Sequence, residues 1–71
     1  MSEGGAFAYI SPADKLDAAC STINGIPGVE WAYYTTGEWD VYASIKSADW
    51  NTTMAAIRSV DGVYAVVECQ A

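Results

Sequence analysis

Apolar residues recur with two periods along this chain, and the switches between them mark its elements. Ala6-Phe7-Ala8-Tyr9-Ile10 is a short, partly aromatic apolar run and predicts a buried strand. Ser11-Pro12-Ala13-Asp14 has the chemistry of a helix start: Ser11 as N-cap, Pro12 in the first turn, and Asp14 where the helix dipole favours an acid. Leu16, Ala19, Cys20 and Ile23 then form one apolar stripe at helical spacing, which Asn24-Gly25 ends. Val29 to Thr36 is rich in Trp, Tyr and Thr and predicts a strand, with Val29, Trp31, Tyr33 and Thr35 on one side and Glu30, Ala32, Tyr34 and Thr36 on the other. The tight connection Thr36-Gly37-Glu38 leads into a strand from Trp39 to Ile45, whose alternation puts Val41, Ala43 and Ile45 on one face. Ser47 is the expected cap of a second helix over about Ala48 to Arg58, with Trp50, Met54 and Ile57 as its apolar stripe. Asp61-Gly62 stops that helix, and Val63 to Val67 is a last strand.

The order is therefore β-α-β-β-α-β. Ile26-Pro27-Gly28-Val29 and Val60-Asp61-Gly62-Val63 stand at the same place in each half, 34 positions apart. Two such halves suit a ferredoxin-like sandwich: an antiparallel four-stranded sheet with both helices on one face. The other face would be bare, and it carries few charges. A monomer would expose a contiguous apolar patch there, so packing against a second copy, as in a dimeric α+β barrel, is the expected solution. Met1–Gly5 reads as a short flexible tail and residues 6–71 as a single domain.

Composition narrows the chemistry. Seventy-one residues are one small domain, and domains of this size usually gain stability from disulfides, a metal or a partner chain. Cys20 and Cys69 lie far apart, form no CxxC, and read as two free buried thiols in a reducing cytoplasm. With no histidine, His-based triads, Cys-His dyads and His-ligated zinc are excluded. Lys15, Lys46 and Arg58 are the only cations against nine acids, a net charge of −6, which argues against direct nucleic-acid binding. No run approaches the ~18 apolar residues of a membrane span. No cofactor is implied.

The segment Tyr33-Tyr34-Thr35-Thr36-Gly37-Glu38-Trp39-Asp40-Val41-Tyr42-Ala43 resembles the ligand-binding domain of the Lrp/AsnC family, which carries threonine-glycine, an acid, an aromatic and an aspartate at this turn. Ile45-Lys46-Ser47-Ala48-Asp49 and both Gly-Val pairs add to the resemblance, which spans roughly Ala6 to Cys69. It implies a stand-alone effector (RAM) domain without the helix-turn-helix. It would be a non-enzymatic module of transcription regulation that binds an amino acid or related metabolite. The resemblance further implies a homo-oligomer, a dimer and then a ring of dimers, with ligands between dimers and a full-length Lrp-type regulator as a further partner.

On that basis Thr36, Gly37, Glu38 and Asp40 are the candidate ligand-binding residues. Gly37 permits a positive φ and close approach to the backbone, turn N–H groups can hold a carboxylate, and Asp40 can accept from an ammonium group. The plainer readings are a turn lock for Asp40 and solvation for Glu38. Thr52 and Thr53, early in the second helix, are within reach of the same rim, with solvent exposure the favoured reading. Trp31, Tyr33, Trp39, Tyr42 and Tyr64 are the candidate dimer-interface residues. The alternatives are a small monooxygenase-like enzyme of the dimeric α+β barrel type, with its aromatics around a substrate, and a ligand-free assembly subunit.

Overall fold

The computed structural model describes all residues from Met1 to Ala71. The chain runs β1 (Ser2–Ile10), a 3-10 turn (Ala13–Lys15), α1 (Leu16–Asn24), β2 (Val29–Tyr34), β3 (Val41–Ser47), α2 (Trp50–Arg58) and β4 (Val63–Gln70). The strands form one antiparallel sheet in the order β2-β3-β1-β4. This is the ferredoxin-like sandwich that the pattern predicts.

Strict alternation builds the core. Ala6, Ala8 and Ile10 of β1 and Val41, Ala43 and Ile45 of β3 turn to the helix side, where they meet Ala19, Cys20 and Ile23 of α1 and Trp50, Met54 and Ile57 of α2. The alanines in the central strands leave room for the helices to approach the sheet closely. Ile23, Ile45, Met54, Ile57 and Val41 are fully buried.

The internal repeat is real at the level of backbone bonds. Gly25, Ile26 and Val29 donate to Thr22, Ile23 and Ile26, and 34 positions later Ser59, Val60 and Val63 donate to Ala56, Ile57 and Val60. Gly28 and Gly62 share a φ of +97°. Each following strand opens with a bulge: Val29 sits opposite Ile45 while Trp31 sits opposite Ser44, and Val63 sits opposite Ile10 while Ala65 sits opposite Tyr9. The extra residues are Glu30 and Tyr64. A bulge reverses the facing of what precedes it. Val29 and Val63 therefore pack toward the helices, whereas uninterrupted alternation would place them with Trp31 and Ala65.

Four further expectations are corrected. Residues 2–5 are no flexible tail: Ser2, Glu3, Gly4 and Gly5 pair with Ser47, Lys46, Ile45 and Ser44, and Gly4 and Gly5 also pair with β4. Ser11 is no N-cap: its N–H donates to Gly62 O, and a 3-10 turn with Lys15 N on Pro12 O precedes α1. Asp49, not Ser47, caps α2, accepting from Thr52 N at 3.2 Å. Ser47 ends β3, where its buried Oγ accepts from Asp49 N and shares a 2.7 Å hydrogen bond with Thr53 Oγ1. Finally, Cys20 is buried but Cys69 is exposed.

Glycine substitutions separate two costs. At Gly28 a Cβ would overlap Thr53 Oγ1, which is locked by Ser47 and by a 3.1 Å bond to Pro27 O. At Gly37, with φ +101°, nothing lies within 4 Å. Gly37→Ala is expected to cost only the left-handed backbone penalty of about 1–2 kcal/mol. Gly28→Ala adds a displaced buried hydroxyl, for a total of about 2–4 kcal/mol. Urea unfolding midpoints of the two variants, compared at equal slope, check the difference.

Candidate functional site

The turn between β2 and β3 is held from below. Thr35 N donates to Asp40 O at 3.1 Å, the Thr35 hydroxyl donates to Trp39 O, and Asp40 N donates to Ala8 O at 3.1 Å. The Asp40 carboxylate accepts from Ile10 N at 2.7 Å, a backbone donor on the β3 side of β1 beyond the last β1–β3 pair, Ala8 with Val41. Asp40 thus ties the turn to β1. Above it Thr36, Gly37 and Glu38 form an exposed tip with open space at Gly37. Asp40→Ala leaves Ile10 N–H without its partner and is expected to cost about 1–3 kcal/mol of stability, read by thermal or urea unfolding.

Beside this turn the bare sheet face carries seven of the nine aromatic residues, all but Tyr34 and Trp50. Phe7 stacks on Trp39 with centroids 4.3 Å apart and meets Tyr42 at 4.8 Å. Trp31 stacks on Tyr33 at 5.0 Å, and both lie 5.9 Å from Tyr42. Tyr9 meets Tyr64 at 5.8 Å. The hydroxyl end of the Tyr42 ring lies over Gly5, where a Cβ would overlap it, so a side chain at Gly5 would displace that ring. Trp31 is 45% exposed, Tyr33 51% and Tyr64 66%. All five candidate interface residues lie on this one face. Phe7 and Tyr9 join them; the signal was the odd-numbered register of the first apolar run, where alternation had no polar residue to reveal it. Burial first, and then the Glu38 and Tyr64 charges, hold the Tyr9 phenol above its ordinary pKa.

Tyr34 and Trp50 serve the helix side. Tyr34 donates to the Asp17 carboxylate at 2.5 Å, and that bond, then burial, pushes its pKa up to about 12. Trp50 Nε1 donates to Glu68 at 2.8 Å, and Arg58 pairs with the same carboxylate at 2.6 Å.

The chain's one groove, of about 380 Å³, lies elsewhere. Gly28, Lys46, Ser47, Asp49, Thr52 and Thr53 line it together with Met1, Pro27 and Ala48. It sits where β2 begins and β3 ends, about 20 Å by strand rise from the Gly37 turn. Thr52 and Thr53 are therefore at the opposite end of the sheet from Thr36 and Asp40, not on the same rim. Its hydroxyls are engaged: Thr53 with Ser47 and Pro27, and Thr52 with Asp49 Oδ2 at 2.8 Å.

Two carboxylates acquire a pH signature. The Thr52 hydroxyl, with the Thr52 N–H, holds Asp49 below its ordinary value of 3.8. Trp50, then Arg58, hold Glu68 below 4.5. Groups depressed in the folded state lend stability that is complete above the unfolded values and is lost as pH falls through the folded ones. The unfolding midpoint is expected to stay level down to about pH 5 and to drop on further acidification. Glu68→Gln should flatten part of that acid limb, which thermal unfolding across a pH series measures.

Neither a family model nor a curated protein sequence matches the chain. Among solved structures, the crystal structure of TTHA0845 from Thermus thermophilus superposes with a TM-score of 0.87 at 21% identity, over 100% of this chain and 92% of that one. E. coli AsnC superposes with a TM-score of 0.84 at 15% identity, over 99% of this chain and 50% of AsnC. At these identities the likeness shows the fold: an AsnC-like ferredoxin-like domain that spans about half the AsnC chain. No helix is long and apolar enough to cross a membrane.

Proposed function

We propose that this chain is a non-enzymatic, homo-oligomeric sensing module, comparable to the effector half of an Lrp/AsnC-type regulator. Two copies cover each other's aromatic sheet faces, and an amino acid or related metabolite binds at the exposed Thr36-Gly37-Glu38 turn between such pairs. Binding changes the assembly or its pairing with a full-length regulator in the cytoplasm. The observation that carries this reading is the aromatic layer itself. Its rings are stacked and ordered, yet Trp31, Tyr33 and Tyr64 stand about half or more exposed on the face that the helices do not cover. Exposed aromatic patches of this kind mark interfaces.

Within this reading Gly37 supplies open backbone at the turn, and Asp40 positions the tip by holding β1 rather than by holding the ligand. Isothermal titration against the twenty amino acids tests the sensing claim. One or a few should give saturable heats that Gly37→Val abolishes, while the variant keeps its oligomeric state. Flat heats throughout, with the assembly intact, would leave a ligand-free assembly subunit instead.

A further inference from the structure

The two edges of the sheet are treated differently. β2 is one edge, and at its middle Ala32 points both backbone groups away from β3. The Asn24 side chain takes both: Nδ2 donates to Ala32 O at 2.8 Å, and Oδ1 accepts from Ala32 N at 2.7 Å. A side-chain amide here imitates a neighbouring strand and closes the edge.

The other edge is β4. The repeat places Arg58 where the first half has Asn24, and Val66 where it has Ala32. Arg58 turns instead to the Glu68 carboxylate. Ala71 N donates to Glu3 O at 2.8 Å, so odd-numbered residues of the regular part of β4 bond β1. By antiparallel alternation, Val66, Glu68 and Gln70 present their N–H and C=O groups to the open side. From Ala65 to Gln70 this edge has no proline, lysine or bulge, the devices that normally protect such a strand.

We infer that the open edge of β4 is a strand-pairing surface for β4 of a second copy, antiparallel about a two-fold axis at Val67. Three observations select that occupant. The chain carries a net charge of −6, but the only charge on this strand, Glu68, is neutralised by Arg58, so like chains meet here without facing their own excess charge. In the Val67-centred register Val66 faces Glu68, Tyr64 faces Gln70 and Ala65 faces Cys69, and no like charges oppose. The Asn24 clamp denies β4 the alternative of β2 in the next copy, which would propagate without end; pairing β4 with β4 consumes both open edges and closes. This contact is distinct from the aromatic-face contact, and the two together build assemblies larger than a dimer.

Amide hydrogen exchange, read residue by residue with sedimentation on the same samples, tests it. In the associated protein the Val66, Glu68 and Gln70 amides are expected to slow together by about 100-fold or more relative to dilute chain. Gln70→Pro removes one outward donor per copy without touching the β1 ladder and should weaken the edge contact about tenfold. Asn24→Ala, by opening β2, should convert closed species into larger, concentration-dependent ones. An associated protein whose three amides exchange as in dilute chain overturns the inference, as does a chain that associates at no concentration. Trp31→Asp with Tyr33→Asp breaks the face contact alone, so edge protection that survives it separates the two interfaces.

Discussion

Trp31→Asp combined with Tyr33→Asp should leave the chain folded and raise the dissociation constant of the sheet-face contact by at least about 100-fold. The two rings are about half exposed and stack on each other rather than filling the core. Their removal from a lone chain forfeits the stack and part of the contact with Tyr42, a loss of about 1–2 kcal/mol. In a two-fold packing each substitution occurs twice, and four carboxylates would have to be desolvated between apolar sheets. Each unpaired charge costs several kcal/mol or forces protonation. Sedimentation velocity on the variant and the parent measures the effect, and far-UV circular dichroism confirms that the sheet persists.

Ile57→Ala should cost about 2–5 kcal/mol of folding stability. Ile57 is fully buried beside Met54 and Ile45, at the last turn of α2, and its carbonyl accepts from Val60 N in the turn that leads to β4. A domain of this length has a total stability of roughly 4–11 kcal/mol by the usual per-residue range, so the change removes a large part of it. Ile23 holds the matching place in the first half, and Ile23→Ala should fall in the same range. Because association stabilises only the folded chain, the thermal midpoint of Ile57→Ala should rise with protein concentration more visibly than that of the parent. Differential scanning calorimetry over a concentration series reads both effects.

Much of this architecture was legible in the sequence because two physical signals agree along most of the chain. The helical stripes at Leu16–Ile23 and Trp50–Ile57 and the alternation at Val41–Ile45 are period signals, and tertiary packing kept them. The paired Gly-Val sites were legible for the same reason, since a left-handed turn after each helix admits glycine with least strain. What alternation could not show was the bulge after each of those valines. One extra residue reverses the facing of Val29 and Val63, and nothing in the side-chain types announces it. The cap of α2 was misplaced because Ser47, which has cap chemistry, is drawn into β3 and its hydroxyl into the bond with Thr53, leaving Asp49 two residues on to cap the helix. The glycines near the amino terminus looked like a tail because they lack side chains; they are strand residues, and Gly5 is bare so that Tyr42 can lie over it.

The candidate site divides the same way. Trp31, Tyr33, Trp39, Tyr42 and Tyr64 share one face, as strand parity and the turn imply, and bulged Tyr64 reaches that face although simple alternation put it with Val66. Asp40 lies at the turn, but its carboxylate goes to Ile10 N, a contact 30 residues away in sequence that depends on where the β1–β3 ladder ends. Thr52 and Thr53 fell at the wrong end of the sheet because helical position alone says nothing about which end of the hairpin the helix start adjoins.

The central claim is that the aromatic face is covered by a second copy of this chain. Sedimentation velocity of the unaltered protein over a wide concentration range tests it most directly. The expected result is a species of at least twice the 7.6 kDa chain mass that persists on dilution and whose mass falls in the Trp31→Asp, Tyr33→Asp variant to what the edge contact alone can hold. A protein that sediments as a single 7.6 kDa chain at every concentration, with its aromatic face in water, contradicts the account.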